Sequence, residues 1–319
     1  MHRSVINIGG VNITEPFALA PMAGVNCASF RLLCKECGAG LIYTQMYHCN
    51  FILGKYRETG MAGLTKSINI NPAERPVALQ LIGNKAEVMA EASKLAAKMA
   101  DIIDINFGCP DDNMVKSGCG AYFAKHPKDM DEVVRQVVSA VKTPVTAKIR
   151  IGWDSQSING VAVAKRLEEL GVKAVAVHGR VAVQKYAGKA NWEIIKHIKS
   201  KLSIPVIGNG DINNSARAIE MIERTDCDIA MIGRRAMGDP GIFARCRNRL
   251  HGLNEPVPSQ LELFKRFANY YSKLDMDKSF SELRTHAMWF SKRAGLGPAV
   301  RLRISKAVDL QEIRDIINA

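Results

Sequence analysis

Eight short apolar, β-rich runs recur along this chain, and each is followed by a stretch with helical periodicity. The runs fall at residues 17–20, 41–44, 77–81, 102–106, 145–149, 174–178, 205–208 and 229–232, with amphipathic segments such as 86–99 and 131–141 between them. Strands buried on both faces read as nearly all-apolar runs, and eight βα units in roughly 240 residues suit a closed (β/α)8 TIM barrel. A doubly wound sheet would instead carry a glycine-rich dinucleotide turn after an early strand. No GxGxxG and no Walker A sequence is present, so the barrel is the expected fold.

Barrel chemistry gathers at the C-terminal ends of the strands. The residues just past the apolar runs are polar or conformationally special: Pro21-Met22-Ala23-Gly24, Gln80, Asn106 to Pro110, Lys148 with Arg150, His178 with Arg180, Asn209-Gly210-Asp211 and Gly233-Arg234. Any one could be an ordinary loop residue; seven strand ends of this kind form a pattern. Within it, DINFGCPDDN (residues 104–113) sets Cys109 between Gly108 and Pro110, past the end of an apolar run. A thiol packed in a core would lie inside such a run.

Composition bounds the partners. The 319 residues are 47% hydrophobic and 24% charged, as in a globular protein, and no stretch of about 20 apolar residues reads as a membrane span. The N-terminus lacks an apolar signal-peptide core, so a cytoplasmic location is expected and the eight cysteines read as reduced thiols. Cys34 and Cys37 form a CxxC with Cys27 and Cys49 nearby, but the spacing is not that of paired zinc knuckles; no metal is expected. The net charge of +13 favours a polyanionic partner.

After the barrel, EPVP at 255–258 reads as a linker. Helical patterns follow at 260–274 and 279–294, with Ser259 and Ser279 as N-caps. Beyond residue 258 the chain holds 11 Lys or Arg against 7 Asp or Glu, which is +4 of the +13. Aromatic residues there, including Phe264, Phe267, Tyr271 and Phe290, have the spacing of a helical core. Two domains are expected, a barrel over 1–250 and a small helical domain over 251–319.

The motifs APMAGVNCASFR, ALQLIG, DINFGCP, KSGCGAY, TAKIRIGWD, VHGRVAVQKYAGKANW, IPVIGNGDI and MIGRRAMGDPGIF, with FSELRTHAMWFSKRAG in the tail, resemble the tRNA-dihydrouridine synthases, most nearly the bacterial B-type. The resemblance spans nearly the whole chain. It implies an FMN enzyme that reduces particular uridines in tRNA with NAD(P)H, the helical domain binding tRNA. It implies Cys109 as the acid that protonates C5 of uracil while hydride reaches C6. Pro21, Met22 and Ala23 would lie against the flavin ring, Gln80 on its pyrimidine edge, Lys148 near N1 and O2, and His178 beside it. Asn209, Gly210, Asp211, Gly233 and Arg234 would hold the phosphate side, and Asn106 and Arg180 would face the flipped uracil. Arg245, Arg247, Arg249, Lys292, Arg293, Arg301 and Arg303 are candidate phosphate contacts for tRNA. No protein partner is implied, and a monomer is expected.

Four departures from the family pattern stand out. Asp111-Asp112 puts two carboxylates where they would repel phosphate, Gln45 replaces a common Glu, Arg235 replaces a more usual small residue, and Cys119 adds a second thiol that could rival Cys109. Two other readings remain at this level: a flavin barrel acting on a free pyrimidine, as dihydroorotate dehydrogenases do, and an RNA-binding protein without catalysis.

Overall fold

The computed structural model describes residues 5–275 and 279–318. Eight parallel strands close into a barrel: β3 (Phe17–Leu19), β4 (Leu41–His48), β5 (Val77–Ile82), β6 (Ile102–Phe107), β7 (Val145–Arg150), β8 (Val175–His178), β9 (Val206–Asn209) and β10 (Ile229–Ile232). Closure is made by β10, which pairs with both β9 and β3. These are the eight runs seen in the sequence, and the TIM-barrel expectation holds.

Two further strands precede the barrel, β1 (Ile6–Ile8) and β2 (Val11–Ile13). They form an antiparallel hairpin about Gly9 and Gly10, both at positive φ as a two-residue hairpin turn requires. Ile8 and Ile13 are buried in the same cluster as Ala18, Ala78, Ala176 and Met231 on the inner faces of the strands. The hairpin therefore plugs the N-terminal end of the barrel.

Alternation along each strand decides what fills the other end. On β6, Ile103 and Ile105 belong to the outer core beneath the helices, whereas Ile102 packs in the barrel interior. Asp104 and Asn106 follow Ile102 at the same period. The same count on the neighbours puts Gln80 above Ala78, Lys148 above Thr146 and His178 above Ala176. The interior is thus small and apolar near the hairpin and polar at the strand ends.

The outer layer consists of α1 (Ala28–Glu36), α2 (Cys49–Ile68), α3 (Ala86–Ala96), α4 (Asp112–Lys116), α5 (Tyr122–Lys125), α6 (Met130–Ala140), α7 (Gly160–Glu169), α8 (Trp192–Lys199), α9 (Ser215–Thr225) and α10 (Ile242–His251). After the linker come α11 (Gln260–Leu274), α12 (Phe280–Arg293), α13 (Pro298–Lys306) and α14 (Leu310–Asn318). Ser259 and Ser279 cap α11 and α12 with their side chains, as read from the sequence.

The tail packs on α1 through α11, and its aromatics are core. Phe264 stacks on Phe290 at 5.4 Å, and Phe267 on His286 at 4.7 Å. At this junction Cys27 Sγ lies 3.7 Å from His286 Nε2 with Glu282 alongside, a group that could hold a metal ion. Burial raises the Cys27 thiol and pushes the His286 imidazole down to about 3, so both are neutral as they stand. Cys34, Cys37 and Cys49 are buried thiols. Among the described residues no helix is long and apolar enough to cross a membrane.

Among the described residues the largest fully buried side chain is that of Arg31, on the inner face of α1. Its Nε is 2.7 Å from Glu74 Oε2 and its Nη2 is 3.0 Å from Oε1, a bidentate pair. The same guanidinium donates to the carbonyl oxygens of Asn26 and Asn69, tying the β3–α1 loop to the end of α2.

Candidate active site

The proton-donor, flavin and uracil residues expected above all line one cavity of about 660 Å³ at the C-terminal end of the barrel; Gly24 does not, and of the candidate tRNA contacts only Arg293 does. Such a volume is that of a small-molecule or cofactor pocket.

Cys109 stands where β6 ends. Asn106 Oδ1 accepts the backbone N–H of Gly108 at 3.0 Å and of Cys109 at 2.9 Å, which folds the chain into a tight turn. The Asn106 amide nitrogen donates to Gln80 Oε1 at 2.8 Å, and Gln80 Nε2 donates to buried Asp104 at 2.7 Å. Asn106, expected to face the substrate, lines the cavity, and its carboxamide fixes the thiol-bearing turn. Gln80 keeps one N–H free of these bonds. On the other flank, Arg150 Nε donates to the Gly108 carbonyl at 2.8 Å. Arg150 also bonds the carbonyls of Val181 and Lys185, so it braces two loops at once. Its position beside Lys148, two residues on along the same strand face, was the signal that could have placed it among the site residues.

The Cys109 thiol is partly exposed to the cavity. Burial raises its pKa, countered in part by the Asp111 backbone amide, so it stays protonated at neutral pH. Gly120 explains how the turn packs: at φ +60°, a Cβ there would lie 2.7 Å from the Cys109 carbonyl oxygen. Cys119 differs. It is buried, turned toward the Ser117 carbonyl and outside the cavity lining, so it does not compete as a donor.

The Asp111-Asp112 pair also finds its place. Asp111 caps α4, its Oδ1 accepting the N–H of Asn113 and Met114. Asp112 Oδ2 pairs with Lys185 Nζ at 2.9 Å. Both carboxylates thus have partners, one a helix end and one an exposed cation.

Across the cavity the field is positive. Lys148 Nζ donates to Asn209 Oδ1 at 3.3 Å, and Asn209 Nδ2 donates to the Met231 carbonyl. Burial, with Arg150 nearby, brings the Lys148 ammonium down to about 8. Burial and then Lys148, Arg150, Arg180 and Arg234 keep His178 neutral. Arg180 is enclosed by the carbonyls of Ala187 and Gly188 and by Asp211 Oδ1, with His178 Nε2 at 3.2 Å. It lines the cavity and braces the loops after β8 and β9. Although burial raises it, the Ala190 amide and Arg180 hold the Asp211 carboxyl below its usual range. Gly210, at φ +126°, leaves room that a Cβ would take 2.7 Å from Ala190 Cβ. Gly233 opens the facing wall, where Arg234 lies exposed over the Tyr186 ring at 5.0 Å. Pro21, Met22 and Ala23 form the apolar floor beside Met231.

Two tail-linked features complete the rim. Buried Asp239 receives Arg235, Arg245 and, from α11, Gln260. Arg293 of α12 reaches the Met237 carbonyl and lines the cavity itself. The unusual Arg235 is therefore a link to the helical tail.

The fold and site define a (β/α)8 barrel with a cationic cavity and a protonated thiol at its catalytic end. The comparisons with known proteins are more particular. A family model described as Dihydrouridine synthase (Dus) matches residues 18–317. A probable tRNA-dihydrouridine synthase of Rickettsia bellii is 36% identical over 90% of this chain and 89% of its own. The tRNA-dihydrouridine synthase B of Pseudomonas putida is 35% identical over 97% and 92%. The chain belongs to the dihydrouridine synthase family. Solved structures share the fold at low identity: histamine dehydrogenase from Rhizobium sp. 4-9 (TM-score 0.60, 13% identical, 83% of this chain and 50% of that one) and a morphinone reductase mutant (0.56, 12%, 81% and 93%).

Proposed function

We propose that this chain reduces the C5=C6 bond of uridines in tRNA to dihydrouridine, with FMN as cofactor and NAD(P)H as reductant. One observation carries the reading: a protonated, partly exposed Cys109 held at the mouth of a cationic barrel cavity, in a chain of this family.

The residues present fit FMN. The apolar floor of Pro21, Met22 and Ala23 suits a flat ring, and Lys148 offers a desolvated cation for its electron-rich edge. Gln80 has a free amide hydrogen for a ring carbonyl. Gly210, Gly233 and exposed Arg234 offer backbone amides and a guanidinium to a phosphate, the usual place for one after strands 7 and 8 of a barrel. When bound, FMN supplies the hydride that C6 of uracil receives.

The chain's own part is protonation. Adding hydride to C6 builds negative charge toward C5, and Cys109 Sγ–H gives its proton there, leaving a thiolate that solvent reprotonates. The positive field of Lys148 and Arg150 stabilises that thiolate. A uridine must leave its stack to reach the thiol, which costs a few kcal/mol. The +13 charge, with Arg293 on the rim, supports phosphate contacts that offset this cost, and the helical tail (251–319) is the proposed tRNA-binding unit. A free pyrimidine would need neither. A cytoplasmic location, with tRNA, and a monomeric state are part of the same proposal.

Two variants test the machinery. Gly120→Ala should displace Cys109 and lower the dihydrouridine rate roughly 10²-fold, as misplacement of a reacting group does, with the flavin spectrum retained. Steady-state rates and absorbance spectra decide it. The second concerns pH. The Lys148 cation is lost as pH rises through about 8, so kcat/KM should fall along an alkaline limb near that value. Stability runs the other way: with its folded pKa below the unfolded one, this lysine is destabilising below about 8, and the penalty fades as pH rises toward about 10.4. A pH–rate profile for Lys148→Arg should lack that limb.

A further inference from the structure

Beside the cavity, and sharing Met46 with it, a broader groove runs between α2, along both sides of its break at Gly60, and the end of α11. The strand β4 creates it. A register shift between Tyr43 and Met46 bends the strand at the rim, as bulges near active sites do, and the strand runs on to His48. His48 Nδ1 then accepts the Asn50 N–H at 3.2 Å and starts α2. This fixes Tyr47 and Phe51 with their rings stacked, 5.7 Å apart and 18° from parallel. Tyr47 is buried, whereas Phe51 is 44% exposed and lines the groove.

Charge along the groove is chiefly positive. Lys55, Lys66 and Lys273 line it. Of its two carboxylates, Glu58 pairs with Lys55 at 3.2 Å, and Asp275 is buried, accepting the N–H of Ala28 and Ser29. A π-face flanked by cations, adjoining through Met46 the cavity proposed for flavin and uracil, is the chemistry that holds single-stranded nucleic acid. Extruding one base leaves its neighbour without a stacking partner.

We propose that Phe51 is the stacking platform for the nucleobase next to the uridine in the cavity, with Lys55 and Lys273 along the adjoining phosphates; this rests on the tRNA reading above. Tyr47 backs the ring and His48 sets its approach.

The test uses the flavin-loaded full chain and an unmodified tRNA transcript, comparing wild type, Phe51→Ala and Phe51→Trp. Phe51→Ala should raise KM for tRNA about tenfold, the size of one base–aromatic stack, with kcat little changed. Phe51→Trp should keep the wild-type KM, and NAD(P)H should reduce the flavin equally in all three. An unchanged KM in Phe51→Ala, as a groove for a protein partner would give, overturns the proposal. So does a Trp variant as impaired as the Ala one, the mark of a packing role. Wild-type protein that makes no dihydrouridine at all would instead defeat the functional reading on which the platform stands.

Discussion

Cys109→Ala should lower dihydrouridine formation by about 10²–10⁴-fold, the range a lost general acid accounts for. Flavin should still bind, and NAD(P)H should still reduce it, because the turn is held by Asn106 and Arg150 through backbone atoms that alanine retains. Buried Cys119 cannot take over, since it faces the Ser117 carbonyl outside the cavity. Rapid-mixing kinetics separate the two half-reactions: a normal reductive half-reaction followed by a stalled one on tRNA is the expected pattern. A variant as fast as wild type would mean that the proton comes from elsewhere.

Arg31→Met should destabilise the fold by about 3–5 kcal/mol, the usual loss when one partner of a buried ion pair is removed. Glu74 would remain fully buried, its carboxylate still accepting the Asn71 N–H but without its cation. The carbonyls of Asn26 and Asn69 would also lose their donor. Denaturant unfolding measures this directly. Because α1 lies between the barrel and α11, the loss should also loosen the helical tail, seen as faster amide exchange there. A double variant that replaces Glu74 as well, with Gln, should recover part of the loss, because no charge is then stranded.

Much of this was legible in the sequence for a physical reason. Barrel strands alternate inward and outward side chains, so Ala78 and Gln80, or Thr146 and Lys148, mark the interior face before any coordinates exist. Gln80 and Lys148, the members nearer the strand ends, both reach one cavity. What escaped reading depends on register or on loop geometry. The extension of β4 to His48 arises from a bulge that no local preference encodes, and it hid the groove beside Phe51. Asn106 reads as a polar strand end, yet its acceptor is claimed by the turn that follows. Asp111 reads as a charge but serves as a helix cap. The hairpin INIGGVNI was readable, since alternating apolar residues about Gly-Gly signal such a turn, and its brevity masked it.

The most direct test of the central claim is to incubate the purified, flavin-loaded protein with NAD(P)H and an unmodified tRNA transcript, then map dihydrouridine along the RNA. The account predicts dihydrouridine at a defined uridine, dependent on both the reductant and Cys109. Reduction of free uracil or turnover of dihydroorotate, with the tRNA left unmodified, would contradict it.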